Sequence, residues 1–188
     1  MKHISSLVIG GSAGSLDVIL NLLAQLNNPL PIAIIIVVHR KSNSDSALTD
    51  LLTSRTKIPV REVEEKDVIS AGHIYIAPAD YHLLVEKDFS FSLDFSEKVN
   101  YSRPSIDVTF QSVAETYTRN TVCLLLSGAN NDGTEGLQFV KSLGGVTAVQ
   151  DPDSALVPFM PQHALSNMKV DYVLKSDEMA DFVNRLGI

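Results

Sequence analysis

The stretch Ile4-Ser5-Ser6-Leu7-Val8-Ile9-Gly10-Gly11-Ser12-Ala13-Gly14 sets the reading of the chain. Residues 4–9 form an apolar run of strand length that lacks polar alternation, the pattern of a strand covered on both faces. The run stops at a small-residue turn carrying one hydroxyl. Behind it Leu16, Ile19, Leu20, Leu22, Leu23 and Leu26 recur at helical spacing, and Asn27-Asn28-Pro29 supplies a stop. Strand, tight turn and helix follow one another within 30 residues.

The same sequence of signals recurs twice. Residues 32–38 are a second apolar run, followed by a helical pattern over 44–52 with Ala47, Leu48, Leu51 and Leu52 on one face. Residues 122–126 are a third, followed by Leu137, Val140 and Leu143 on a helix that Gly144-Gly145 would close. Repeated strand–loop–helix units predict an α/β fold, a doubly wound three-layer αβα arrangement around a mostly parallel sheet. The middle departs from this rhythm. Residues 72–78 predict a short strand, and 82–86 with 90–95 predict an antiparallel hairpin, because Phe89, Phe91, Leu93 and Phe95 alternate with Ser90, Ser92 and Asp94. Further elements are expected as a helix over 105–117, a strand over 146–150, a helix near 161–166, a strand near Tyr172 and a last helix from Ser176.

With 188 residues, 45% hydrophobic and 20% charged, the chain is expected to be one domain spanning 1–188. The formal charge of −7 and the lack of a basic cluster argue against nucleic acid, whose phosphates require a cationic face. The lone Cys123 fits a reducing compartment. No apolar stretch approaches the roughly 20 residues that span a bilayer, and the N-terminal run is too short for a signal peptide. A cytoplasmic location without membrane insertion is expected.

Three residues at strand ends carry chemistry. Ser12 lies in Gly10-Gly11-Ser12-Ala13-Gly14, a G-x-S-x-G turn between strand and helix, which can lift a nucleophile out of a sheet. The same glycines could serve only as a turn, or cradle a phosphate as in a nucleotide-binding module. His39 ends the second strand and is either a boundary residue or a general base. Asp132, in Ser127-Gly128-Ala129-Asn130-Asn131-Asp132-Gly133, is either a helix cap or Asx turn just before the following helix, or the carboxylate that orients an imidazole. Together they form the set that a serine needs near neutral pH. Their chain order, Ser-His-Asp, differs from that of α/β-hydrolases. His82 and Tyr81 could line the cleft or fill the hairpin, and Arg103 could meet an acidic substrate or pair with Asp107. His3, His73 and His163 have no partners at ligand spacing, so no metal is expected.

Residues 9–14, Val38-His39 and Gly128-Ala129-Asn130-Asn131-Asp132-Gly133 resemble the nucleophile turn, histidine strand end and aspartate loop of CheB protein-glutamate methylesterases. Residues 72–78, 103–108 and Met160-Pro161 add to the resemblance. It implies hydrolysis of glutamate methyl esters on a methylated chemoreceptor or receptor-like signalling protein, and in some members deamidation of glutamine. It also implies Ser12, His39 and Asp132 as catalytic residues and no cofactor. Ala13, Gly128, Ala129 and Asn130 become candidates for binding an oxyanion, and Met160 for walling the substrate groove. CheB proteins typically carry an N-terminal receiver domain. None is seen here, so a stand-alone catalytic domain is expected, unregulated or controlled by a separate receiver partner. A non-enzymatic nucleotide- or partner-binding αβα module is the alternative.

Overall fold

The structure, a computed structural model, describes residues 4–40 and 45–187. His3 and residues 41–44, which include the expected helix start at Ser44, lie outside the described residues. The main sheet contains β1 (Ser6–Gly11), β2 (Ala33–Val38), β3 (Val60–Glu62), β4 (Ile74–Ile76), β7 (Thr121–Leu125), β8 (Val146–Gln150) and β9 (Tyr172–Leu174). Its order is β3-β4-β2-β1-β7-β8-β9, with every neighbouring pair parallel. The chain winds outward in one direction from β1 through β2 and in the other from β7. The switch point therefore falls between β1 and β7, where open α/β sheets place their sites at the carboxyl ends of the strands.

The absence of polar alternation in the apolar runs has its reason in two separate cores. Leu7 and Ile9 of β1 pack with Ile19 and Leu22 of α1 (Leu16–Leu23), Leu52 of α2 (Asp45–Thr53) and Val183 of α6 (Met179–Asn184). Val8 between them turns to the other face. There it meets Phe110 and Val113 of α3 (Ile106–Tyr117), Leu137 of α4 (Thr134–Ser142) and Ala164 of α5 (Phe159–Asn167). Burying each such side chain is worth about 1.5–3 kcal/mol, so a polar residue on either face would be costly. Cys123, free and buried, belongs to the second core.

The hairpin is β5 (His82–Val85) paired antiparallel with β6 (Phe91–Asp94), separate from the main sheet and packed on α3 through Leu83, Val85 and Phe91. The strand expected over 72–78 is β4, which joins the main sheet beside β2. Strand β1 runs two residues beyond the expected end, because Gly10 and Gly11 still pair with Val37 and Val38. The turn begins at Ser12. Helix α5 starts at Phe159, ahead of the expected Pro161, and β3 has no counterpart in the expectations. Among the described residues no helix is long and apolar enough to cross a membrane.

Candidate active site

Strand register brings the first two candidates together. Gly11 lies opposite Val38, and the His39 N–H donates to the Gly11 carbonyl at 3.2 Å. The next position on each strand is Ser12 and His39, about 4.8 Å apart from backbone to backbone. Both line a cleft of about 310 Å³ that includes Leu16, Arg40 and Leu48. Gly14 adopts φ +79°, a conformation that L side chains rarely adopt, and a Cβ there would come within 2.8 Å of Leu156 and of Ser127 Oγ. Ser127 fastens this turn from below: its hydroxyl donates to the Ala13 carbonyl at 2.7 Å and accepts from the Val157 N–H at 2.9 Å.

Asp132 is fully buried and surrounded by donors. Its Oδ2 accepts from His39 Nε2 at 2.7 Å and from the Ile106 N–H at 2.7 Å. Its Oδ1 accepts from Ser105 Oγ at 2.9 Å, the Asp107 N–H at 3.0 Å, the Gly133 N–H at 3.1 Å and Asn100 Nδ2 at 3.2 Å. The two readings of this residue thus coincide, with one change. Asp132 does satisfy a helix N-terminus, but it is that of α3, which packs across from its loop. The following helix α4 has Gly133 as its N-cap residue, and that glycine, with φ +94°, makes the turn without a side-chain cap.

Burial alone would raise the Asp132 carboxyl. The bond from His39 and the N–H groups of Asp107 and Ile106 outweigh that and hold it below the ordinary carboxylate range. Asp107 behaves oppositely: burial pushes it up, and the charge of Asp132 adds to the effect. Asp107 accepts from the Gly136 N–H in the first turn of α4. Asn100 Nδ2 bridges the pair, at 2.8 Å from Asp107 and 3.2 Å from Asp132. Each of the two helices therefore has a carboxylate at its start, and one amide joins the carboxylates.

An ionised Asp132 can only accept, so Nε2 donates to it, and in the neutral tautomer that this bond selects Nδ1 is the acceptor. Ser102 Oγ lies 3.3 Å from Nδ1 and 3.4 Å from the Asn100 carbonyl. The Ser12 hydroxyl makes no hydrogen bond among the described residues. His39 and Asp132 are thus joined directly, whereas Ser12 stands beside the imidazole in the same cleft, unbonded. Catalytic hydrogen bonds are often long before substrate is bound. Arg40, next along the chain, donates to the Ala77 carbonyl at 3.0 Å and pairs with Glu62, tying the end of β2 to β4 and β3.

The oxyanion candidates separate by their hydrogen bonds. The Gly128 N–H donates to the Val157 carbonyl at 3.0 Å, which removes it from the free donors. The N–H groups of Ala13, Ala129 and Asn130 have no acceptor among the described residues. Met160 is fully buried beneath the site: a Cβ on Gly128 would stand 2.5 Å from Met160 Cε and 3.1 Å from Ser12 Cβ. Met160 thus supports Gly128 and, through it, Ser12. His82 is buried, bonding the Glu97 carbonyl and the Ser105 N–H, so it fills the hairpin rather than the cleft. Arg103 lies over the Phe95 ring and donates to the Phe95 and Ser96 carbonyls, away from Asp107. Asn100 and Ser102 are the site residues that the sequence reading missed. A larger cavity of about 780 Å³ lies toward the opposite ends of the strands, and none of its lining residues is a serine, cysteine or histidine.

Residues 7–183 match the family model described as CheB methylesterase. The chain belongs to the CheB methylesterase family. A relative from Leptospira interrogans is 41% identical over 181 residues, covering 96% of this chain and 94% of its own length. The Thermotoga maritima protein-glutamate methylesterase/protein-glutamine glutaminase is 36% identical over 173 residues, covering 89% of this chain and 49% of that protein. The crystal structure of the Thermotoga maritima CheB methylesterase catalytic domain superposes with a TM-score of 0.92 at 30% identity, covering 96% of this chain and 97% of that one. The parallel sheet and its covering helices described above are therefore the CheB catalytic-domain fold.

Proposed function

We propose that this chain hydrolyses glutamate γ-methyl esters on a protein, by a serine mechanism in which Ser12 is the nucleophile, His39 the base and Asp132 the group that orients it. The observation that carries the reading is the 2.7 Å bond between His39 Nε2 and the buried, ionised Asp132. It leaves Nδ1 as the ring's proton acceptor, in the cleft that also holds Ser12. In the first step the Ser12 proton passes to Nδ1 as Oγ attacks the ester carbonyl. The N–H groups of Ala13 and Ala129, which have no acceptor among the described residues, are the candidate donors for the developing oxyanion, with Asn130 as a third. The proton on Nδ1 then goes to the methoxide, methanol leaves, and a glutamyl–Ser12 ester remains. A water, deprotonated by the same nitrogen, releases glutamate and restores the hydroxyl.

A glutamine side chain would follow the same course with ammonia as leaving group, the second activity in the name of the Thermotoga maritima relative. The family resemblance points to a chemoreceptor as the esterified protein and to action in the cytoplasm. The free, buried Cys123 agrees with a reducing compartment. A receiver protein as separate regulator stays within the same proposal. The test is methanol release from methylated receptor by the wild-type chain and by Ser12→Ala, with fluorophosphonate labelling of Ser12 as a second readout. Labelling and turnover that both vanish in Ser12→Ala support the mechanism. Full turnover by that variant would remove it.

A further inference from the structure

Large apolar side chains in the described chain are mostly buried, yet the two most exposed both belong to segments in contact with site residues: Asn100 and Ser102, on either side of Tyr101, reach Asp132 and His39, and Leu156 abuts Gly14. Tyr101 is 97% exposed and Leu156 is 78% exposed. Tyr101 sits at the tip of a two-residue turn closed by Val99 and Ser102, whose backbones exchange hydrogen bonds at 3.2 and 2.9 Å. Both turn residues have positive φ, 50° at Asn100 and 63° at Tyr101. For a tyrosine that conformation is unfavourable, and glycine would adopt it freely.

The surroundings keep the turn in place. Asn100 is bonded to Asp107 and Asp132, and Ser102 lies against His39. An exposed aromatic residue held at this cost thus lies between two residues that contact Asp132 and His39. Leu156 abuts Gly14, two residues beyond Ser12. Rigid exposed aromatic and aliphatic side chains beside a reaction centre are the kind that supply binding energy to a polypeptide partner.

We propose that Tyr101 and Leu156 form an apolar clamp for the polypeptide on either side of the esterified glutamate, and that they determine the preference for a protein ester over a small one. The clamp rests on the hydrolase reading above and names its substrate-recognition residues. Its occupant is an apolar surface of the folded substrate protein: the methyl ester reaches Ser12 between the two side chains, and its neighbours on the substrate cover them.

The experiment compares kcat/KM on two substrates, a purified receptor fragment carrying labelled glutamyl methyl esters and a capped single-residue glutamate γ-methyl ester. For Tyr101→Gly the ratio of protein-ester to small-ester kcat/KM falls about tenfold, and it falls further when Leu156→Ser is added. The loss lies in KM for the protein, and Tyr101→Phe restores most of the ratio because the ring, not the hydroxyl, makes the contact. Glycine suits the positive φ, so the melting temperature of Tyr101→Gly does not fall, which separates recognition from folding. A ratio within twofold of wild type in Tyr101→Gly, with the wild-type chain active on the receptor, would overturn the clamp alone. A wild-type chain that releases no methanol from either ester would overturn the hydrolase reading, and the clamp with it.

Discussion

Asp132→Asn is the perturbation for which the structure gives the most definite outcome. The replacement keeps the shape of the side chain but turns one acceptor oxygen into an NH2 donor. Oδ1 accepts from Ser105, Asp107, Gly133 and Asn100, so the amide oxygen is held at that position. The NH2 must then face His39 Nε2 and the Ile106 N–H. The histidine can meet it only by accepting at Nε2, which moves its proton to Nδ1 and blocks the nitrogen that would serve as base. The expected loss in kcat is about 10³- to 10⁴-fold, the scale of a triad held in the wrong tautomer. The Ile106 N–H, facing another donor in a fully buried site, loses its acceptor at a cost of about 1–3 kcal/mol in unfolding free energy. Urea unfolding monitored by circular dichroism measures the second effect, and methanol release from methylated receptor measures the first. Turnover above about one-tenth of wild type, in a folded variant, would refute the assignment of Nδ1 as base.

Ser12→Ala should abolish turnover and labelling while shifting stability by no more than about 0.5 kcal/mol, since its hydroxyl holds no bond among the described residues; calorimetry checks the second half. Gly128→Ala should cost about 1–3 kcal/mol and lower kcat at least tenfold, because the new methyl must displace the buried Met160 end and press on Ser12 Cβ; denaturant melts and kinetics read the two effects. Burial and the Asp132 charge hold Asp107 above its unfolded value, so the folded state keeps a proton that the unfolded chain has released. Stability should therefore fall as pH rises from the ordinary carboxylate range toward neutrality, and Asp107→Asn should flatten that slope in unfolding measured at several pH values. Asp132 has the opposite sign. Its folded value is depressed, so its contribution is complete above the ordinary carboxylate range and is lost as pH falls below it, which acid titration of the melting temperature would register.

The three strand ends were legible in the sequence because a strand buried on both faces leaves a continuous apolar signature that ends where the carboxyl edge begins. Ser12, His39 and Asp132 each stand just beyond such a run, and parallel pairing does the rest. Strand β3 left no such trace: Val60-Arg61-Glu62 has one apolar residue and becomes a strand only by pairing with β4 at the sheet edge. The helix that Asp132 satisfies was misplaced for a related reason. Sequence proximity suggests α4, whereas the contact with α3 depends on how distant segments pack. Asn100 and Ser102 fall in a short polar turn without periodicity, and their roles arise from hydrogen bonds to residues up to 63 positions away. Asparagine is a turn residue, but nothing local says which carboxylate it reaches. The spent Gly128 N–H was likewise hidden, since its acceptor lies 29 residues downstream in the chain.

Because the start of α3 is fastened by Asp132, the proposed mechanism would give this carboxylate a second reason to persist besides folding. A descendant that lost its hydroxyl and its chemistry would remain under selection to keep the acid, for folding alone. Among diverging copies of this domain, the aspartate would outlast the serine, and its presence would say nothing about turnover. On the proposed mechanism, the side chain whose replacement would mark a pseudoenzyme is Ser12, whose hydroxyl makes no hydrogen bond among the described residues.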